Sequence, residues 1–161
     1  MAEFIKMEIQ DPNRIAVFLK RLSGAANDPR FRAKLLGAAE IMEEHVKEVL
    51  WDMVYAKPSG SYKRKMGAGL LGSTKATGKV SRGLNELTTG VASSMDYAVY
   101  VHMGTGVFAA DGRGRKTPWI YQDDDGVFHR TVGQKPKPYL TKGAKKAQVE
   151  ILKHLAKYFR N

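Results

Sequence analysis

A run of apolar residues between positions 31 and 53 constrains the fold of this chain more than any other feature. Asp28-Pro29 before the run provides an N-cap followed by proline at the first helical position. Lys57-Pro58-Ser59-Gly60 after it stops a helix. We therefore predict one amphipathic helix ending near Tyr55, about 40 Å long at 1.5 Å per residue. Its apolar residues recur at the steps of four and three that put them on one helix face: Phe31, Leu35, Ala38, Met42, Val46, Val49 and Met53.

Short-period patterns predict strands in three places. "EFIKMEIQ" alternates at Ile5, Met7 and Ile9 and predicts a short strand, and a short helix should follow Asp11-Pro12. Thr88 to Met103 predicts a longer strand. "WIYQ" and "VFHRT" predict a hairpin around an Asp-Gly turn. In the longer strand, Tyr97, Val99 and Val101 should face one side, and Ala98, Tyr100 and His102 the other.

The end of the chain predicts a second long helix. The prolines of "KPKPYL" cannot donate to a strand ladder, so pairing should stop there. Residues 138 to 160 then carry an apolar stripe at helical spacing. Its members are Leu140, Ala144, Ala147, Ile151, Leu155 and Tyr158.

These elements predict a single domain over residues 1 to 161, because 161 residues suffice for one core. The fold class is α+β: a small antiparallel sheet packed against the long helix and the C-terminal helix. The chain has no cysteine, no apolar run long enough to span a membrane and no apolar segment of signal-peptide length. We expect a soluble intracellular protein.

The charge of the chain is strongly and unevenly basic. Lys and Arg total 27 against 16 Asp and Glu, for a net charge of +11, which favours a polyanionic partner. Residues 57 to 82 carry seven basic side chains and no acidic one, in a Gly- and Ser-rich sequence of weak periodicity. We predict a flexible basic loop over residues 57 to 88, with a short ordered piece near Leu70 and Leu71. Its side chains for DNA or a partner protein are Lys63, Arg64, Lys65, Lys75, Lys79 and Arg82.

Motifs that suggest chemistry lack the context that the chemistry needs. "GAGLLGST" contains G-x-G-x-x-G, but the preceding "YKRKM" cannot be the buried strand of a dinucleotide fold. Ser73 also stands where a P-loop requires lysine. Asp123-Asp124-Asp125 lacks the spacing of a calcium loop and is typical of a hairpin turn. We predict no cofactor and no metal site.

The histidines leave one enzymatic alternative. His102 and His129, on neighbouring strands, would form a two-ligand site or an acid–base pair of the ribonuclease kind. No third ligand or carboxylate accompanies them in the sequence, and a partly buried strand histidine is the preferred interpretation. We therefore predict that the chain is not an enzyme.

Three elements in order resemble a known family: "YAVYVHMGTG", "GRKTPWIY" and "GQKPKPYLTKGAKK", with "GLLGST" upstream where the family carries a Gly-x-Leu-x-x-Ser element. The pattern resembles the neck, or tail-completion, family of minor structural proteins of long-tailed bacteriophages, also called head–tail joining proteins. The resemblance covers residues 30 to 161 and is most specific over 97 to 140. The family's usual "YVEFGTG" has an acidic and an aromatic residue where this chain has His102 and Met103, so no role of that acidic position is transferred.

The resemblance implies a virion protein at the head–tail interface, assembled in the host bacterial cytoplasm. It implies a homo-oligomeric ring, a hexamer or a dodecamer, that surrounds the DNA path without reading its sequence. Its neighbours would be head-completion or connector proteins on one side and tail-terminator or tail-tube proteins on the other. The resemblance implies no contact with a membrane. An edge strand at Gly104-Thr105-Gly106 would extend a sheet to the next subunit. The subunit interface would contain Tyr97, Tyr100, His102, Thr105, Arg115, Trp119, Tyr121, Pro138 and Tyr139.

Mixed aromatic and basic residues leave a second function open. Such mixing binds single-stranded nucleic acid by stacking and phosphate contact, and it is equally common at protein interfaces. The alternative is a free basic nucleic-acid-binding module.

Overall fold

A long helix, α1 (Pro29–Leu50), begins where the sequence predicts and continues through a π-helical turn, Trp51–Tyr55. The computed structural model describes residues 24–25, 27–56, 69–82, 87–123 and 125–160. Asp28 caps α1, since its Oδ1 accepts a hydrogen bond of 2.8 Å from the Arg30 amide. Tyr158 and Arg30 also donate to this carboxylate, which lowers its pKa to about 2. The predicted long helix is confirmed.

The C-terminal helix packs antiparallel along α1 and is also confirmed. It spans Tyr139–Arg160 and is named α4 here because two short helices precede it. Its start lies against the end of α1, where Gly143 contacts Val46. Its end lies against the start of α1, where the rings of Phe31 and Tyr158 are 5.0 Å apart.

Gly143 sets the distance between the two helices. A β-carbon at this position would lie 2.5 Å from the Cα of Val46, which is backbone and cannot turn aside. Alanine in place of glycine favours a helix by about 1 kcal/mol, but overpacking against a backbone costs about 1–3 kcal/mol. We expect Gly143→Ala to lower the free energy of unfolding by about 1–2 kcal/mol in denaturant titrations.

Gly37 provides the matched control for that substitution. It lies in α1 at the same interface, but a β-carbon there would meet only the ring of His154. Because the His154 side chain can move, Gly37→Ala should keep most of the helix-propensity gain and be as stable as the wild type or more stable by up to about 1 kcal/mol. Equal losses for the two variants would contradict the close contact at Gly143.

Short elements follow between residues 69 and 93. They are α2 (Leu70–Ser73), β1 (Thr74–Ala76), β2 (Ser81–Arg82), β3 (Leu87–Thr88) and β4 (Val91–Ser93). β1 pairs with β4 and β2 pairs with β3, both antiparallel. The ordered piece predicted near Leu70 is confirmed. Within the predicted flexible loop, residues 69 to 82 and 87 to 88 contain these short strands, which the sequence does not indicate because they are too short to show periodicity.

The strand predicted through Met103 is wrong over its second half. Ala98–Met103 is a helix, α3, and only β3 and β4 in that segment are extended. Val99, Tyr100, Val101 and His102 alternate β-branched and aromatic side chains, which favours a strand. A helical turn instead brings Ala98 and Val101 together against the core. Tertiary packing of one face decides the outcome for such a short segment. Gly104, with φ of 78°, ends α3.

The predicted hairpin is confirmed. β5 (Trp119–Gln122) pairs with β6 (Phe128–Thr131) in antiparallel register, with Ile120 opposite Arg130 and Gln122 opposite Phe128. Asp123 stabilises the turn, because its Oδ1 accepts hydrogen bonds from the amides of Asp125 and Val127. The acidic turn therefore has the structural role that its sequence indicates.

The predicted α+β class is confirmed, with the strands arranged as three two-stranded antiparallel sheets among the described residues. The core joins the second half of α1 to α2 and to the start of α4 through Val46, Leu50, Val54, Leu70 and Tyr139. Within the described ranges, no helix is both long and apolar enough to cross a membrane. The strand at residues 3 to 10, the helix after Pro12 and loop residues 57 to 68 and 83 to 86 lie outside them.

Candidate assembly surface

The three ordered sequence elements meet in space at one crossing of the backbone. The Thr105 amide donates to the Gln134 carbonyl at 2.9 Å, and the Gln134 amide donates to the Thr105 hydroxyl at 2.9 Å. The Val107 amide donates to the Val132 carbonyl at 3.0 Å. Gly104-Thr105-Gly106 is therefore joined to residues 132 to 134, more than twenty residues away in the sequence.

Glycine is required at this crossing for two reasons. Gly106 has φ of 60°, and a β-carbon on it would overlap the carbonyl of Val132. Gly114 of the "GRKTPWIY" element lies so close that its own β-carbon would overlap the Gly106 carbonyl. We call the set of Gly104, Gly106, Gly114 and Gly133 the glycine crossing.

The glycine crossing is tied directly to the core. The Lys137 amide donates to the Val101 carbonyl at 2.9 Å, which holds the end of "GQKPKP" against α3. The ring of His102 packs edge-on against Tyr139 with centroids 5.4 Å apart. Burial there lowers the pKa of His102 and raises that of Tyr139. Tyr139 in turn contacts the cluster that contains Leu70 of "GLLGST".

The outward side of α3 and the turn after it are unusually apolar. A 3-10 turn, Gly106–Phe108, continues the chain beyond the crossing. The Lys135 ammonium lies 5.9 Å from the centre of the Phe108 ring, so a cation borders the patch. Six large apolar side chains of this region are exposed, and Val99, which is 55% exposed, is typical of them. We call the exposed set the α3 face: Tyr97, Val99, Tyr100, Met103, Val107 and Phe108.

The β5–β6 hairpin has a second exposed apolar face. Ile120 is 67% exposed and Phe128 is 71% exposed, and their register makes them diagonal neighbours on one side of the ribbon. On the other side, Tyr121 stacks on His129 with centroids 5.3 Å apart, and Arg115 lies 5.7 Å from the centre of the Trp119 ring. A two-stranded ribbon with apolar side chains exposed is only marginally stable alone.

The residues predicted at the subunit interface differ in how exposed their side chains are. Tyr97, Tyr100, Arg115 and Tyr121 are exposed, while Thr105, Trp119 and Pro138 are half-buried. Tyr139 is fully buried, so its side chain is part of the core in this conformation and is not available to a partner. His102 is half-buried against it.

The predicted basic residues fall into two groups. Lys75, Lys79 and Arg82 are exposed, and Arg82 donates to Asn27 Oδ1 at 2.8 Å. Lys63, Arg64 and Lys65 lie outside the described residues.

The two candidate histidines do not share neighbouring strands. His102 is on α3, and its Nε2 lies 3.4 Å from the Thr141 hydroxyl. His129 on β6 has a carboxylate partner that sequence reasoning missed, because its Nε2 lies 2.7 Å from Asp123 Oδ2. This hydrogen bond is the main reason that the pKa of Asp123 is below its usual value. Across the described part of the chain, no three His, Asp or Glu side chains group as metal ligands would.

A scan of protein-family models and searches of curated proteins and solved structures found no match to this chain. The resemblance to neck proteins therefore depends on the sequence elements and on how they meet.

Proposed function

We propose that this chain is a structural protein of a tailed bacteriophage virion, a subunit of a homo-oligomeric ring in the neck that joins head and tail. The ring surrounds the DNA path, and the subunit has no catalytic role. Its partners are other copies of itself and the adjacent head-completion and tail-terminator or tail-tube proteins.

The observation that carries the proposal is the convergence of the resemblance elements. "GTG", "GRK" and "GQKP" are distant in the sequence but meet at the glycine crossing. "GLLGST" contributes Leu70 to the core that also contains Tyr139. A set of motifs that builds one compact junction is a stronger indication of a shared fold than the same motifs scattered over the surface.

The exposed apolar surface supports self-assembly. The α3 face contains two tyrosines, a phenylalanine and a methionine, which are residue types enriched at protein interfaces. Large apolar patches are uncommon on monomeric proteins, since water contact with them is unfavourable. Burying the α3 face between copies removes that cost.

The exposed basic residues support contact with the genome. Lys75 lies on β1, Arg82 lies on β2, and Lys79 is in the connection between these strands; all three are exposed. Scattered exposed cations contact phosphates without reading bases. This is the contact that a ring needs around DNA of any sequence.

Native mass measurement of the purified full chain tests the proposal against the nucleic-acid module. We expect a closed oligomer that forms without DNA and persists in moderate salt, because apolar burial is little affected by screening. A monomer at all concentrations that binds DNA with steep salt dependence would instead support the module.

A further inference from the structure

The β5–β6 hairpin has two sides that differ in burial. Directly opposed residues of an antiparallel pair lie on the same side of the ribbon, and successive residues alternate between sides. The register therefore places four exposed residues together, and we call them the outer hairpin face: Ile120, Gln122, Phe128 and Arg130. Three of the four residues on the other side are half-buried. The outer hairpin face is thus the side that points away from the rest of the domain.

The outer hairpin face lacks cover from its own fold. No other described helix or strand packs extensively against the hairpin. Apart from residue 124, the chain is described without a gap from residue 87 to residue 160, so the sequence neighbours of the hairpin do not supply the cover either. A two-stranded hairpin is marginally stable unless its apolar side packs against something. Ile120 and Phe128, 67% and 71% exposed, are therefore available to another molecule.

The α3 face has a carboxylate beside its apolar side chains. The Ala98 amide donates to the Met95 carbonyl at 2.9 Å, so the turn that contains Asp96 runs directly into α3. Asp96 is exposed and forms no ion pair among the described residues. Steps of three and four residues, which put side chains on one side of a helix, connect Asp96, Val99, Tyr100 and Met103.

The outer hairpin face has the opposite charge among its apolar side chains. Arg130 is directly opposite Ile120 and diagonal to neither charged partner on its own side of the ribbon. It is exposed and forms no ion pair within the described ranges. Two outer hairpin faces in contact would bring their Arg130 side chains together, whereas an α3 face offers Asp96. Complementary charge therefore favours contact between the two different faces.

We propose that the outer hairpin face of one copy packs against the α3 face of the next copy, with Arg130 beside Asp96. This inference rests on the proposed self-assembly and specifies its contact. A contact between two α3 faces would leave the outer hairpin face uncovered, whereas the proposed contact covers both apolar surfaces. Each copy then donates its hairpin to one neighbour and receives a hairpin from the other. A heterologous contact of this kind closes into a ring when the rotation permits.

Crosslinking between cysteine variants tests which faces meet. The chain has no cysteine, so each introduced thiol is unique. Val99→Cys and Ile120→Cys change exposed side chains and are made separately, assembled as a mixture and treated with a short bis-maleimide. We expect a covalent dimer from the mixture and little from either variant alone. The control mixture pairs Ile120→Cys with Val149→Cys, which is exposed on α4, and should give little dimer.

Charge reversal with rescue tests the ion pair by analytical ultracentrifugation of the full chain. We expect Arg130→Glu and Asp96→Arg each to weaken self-association by about tenfold, and the combined variant to recover most of that loss. Lys145→Glu and Glu44→Arg are the controls, since both side chains are exposed and belong to neither face. They should associate as the wild type does.

The outcomes separate this inference from the proposed function. A wild-type oligomer in which the Val99→Cys variant links as strongly to itself as to the Ile120→Cys variant would overturn the heterologous contact alone. An oligomer with no link between the two variants, or a combined charge variant without recovery, would do the same. Crosslinking of the Ile120→Cys variant in tailed particles only to a different protein would assign the hairpin to that protein and overturn the inference. A wild-type chain that stays monomeric would overturn both proposals.

Discussion

Gly106→Ala is expected to lower the free energy of unfolding by about 3 kcal/mol or more, the largest single-residue effect that we predict. A left-handed backbone costs alanine about 1–2 kcal/mol relative to glycine. The new β-carbon would also overlap the Val132 carbonyl, so the hydrogen bond from the Val107 amide to that carbonyl must break or shift. Chemical denaturation monitored by tryptophan fluorescence and circular dichroism measures the loss.

Gly112→Ala separates the two causes. Gly112 has φ of 71°, close to that of Gly106, but no atom lies within 4 Å of the position of a β-carbon. The Gly112→Ala variant should therefore lose only about 1–2 kcal/mol of the free energy of unfolding, which is the cost of the left-handed backbone alone. If the two variants are equally stable, the crossing at Gly106 is not tight and the junction of the sequence elements is not as described.

Val99→Glu is expected to weaken self-association by about a hundredfold or more and to leave the fold intact. Val99 belongs to the α3 face, and α3 contains no Lys or Arg that would pair with a carboxylate buried there. Because the side chain is already 55% exposed in the single chain, the thermal melting of the monomer should change little. Sedimentation velocity over a concentration series gives the shift in association.

Val149→Glu is the matched control for Val99→Glu. Val149 is a helical valine that is 62% exposed, on the outer side of α4 and away from the α3 face. The Val149→Glu substitution introduces the same charge and removes the same apolar side chain as Val99→Glu. We expect its self-association to be close to that of the wild type. Equal weakening by both variants would indicate a general charge effect and would contradict a role for the α3 face.

The helices show what sequence periodicity can and cannot predict. The apolar stripe of α1 runs over six turns, and its start is marked by Asp28-Pro29, so both its position and its N-cap are predictable. α3 has only six residues, and in so few positions a period of 2 and a period of 3.6 are hard to tell apart. Tyr97 and Tyr100 were among the interface residues that the resemblance implies, whereas Val99, Met103, Val107 and Phe108 joined them only once the helix and the turn after it were known.

The glycine crossing shows a different limit. "GTG" at residues 104 to 106 signals a break in regular structure, and the structure places a helix end there rather than a strand end. That the break also packs against residues 132 to 136 depends on contacts between distant segments, which periodicity and turn chemistry do not encode. The four glycines of the crossing are the sequence signal, since they mark close backbone approach once their partners are known.

A single-particle image of the tailed particles made by the genome that encodes this chain tests the central claim most directly. We predict density for a closed ring of this chain between head and tail, with α3 faces buried between neighbouring copies and the axis open for DNA. Particles that lack the chain, with the junction built entirely from other proteins, would contradict its assignment as a neck subunit.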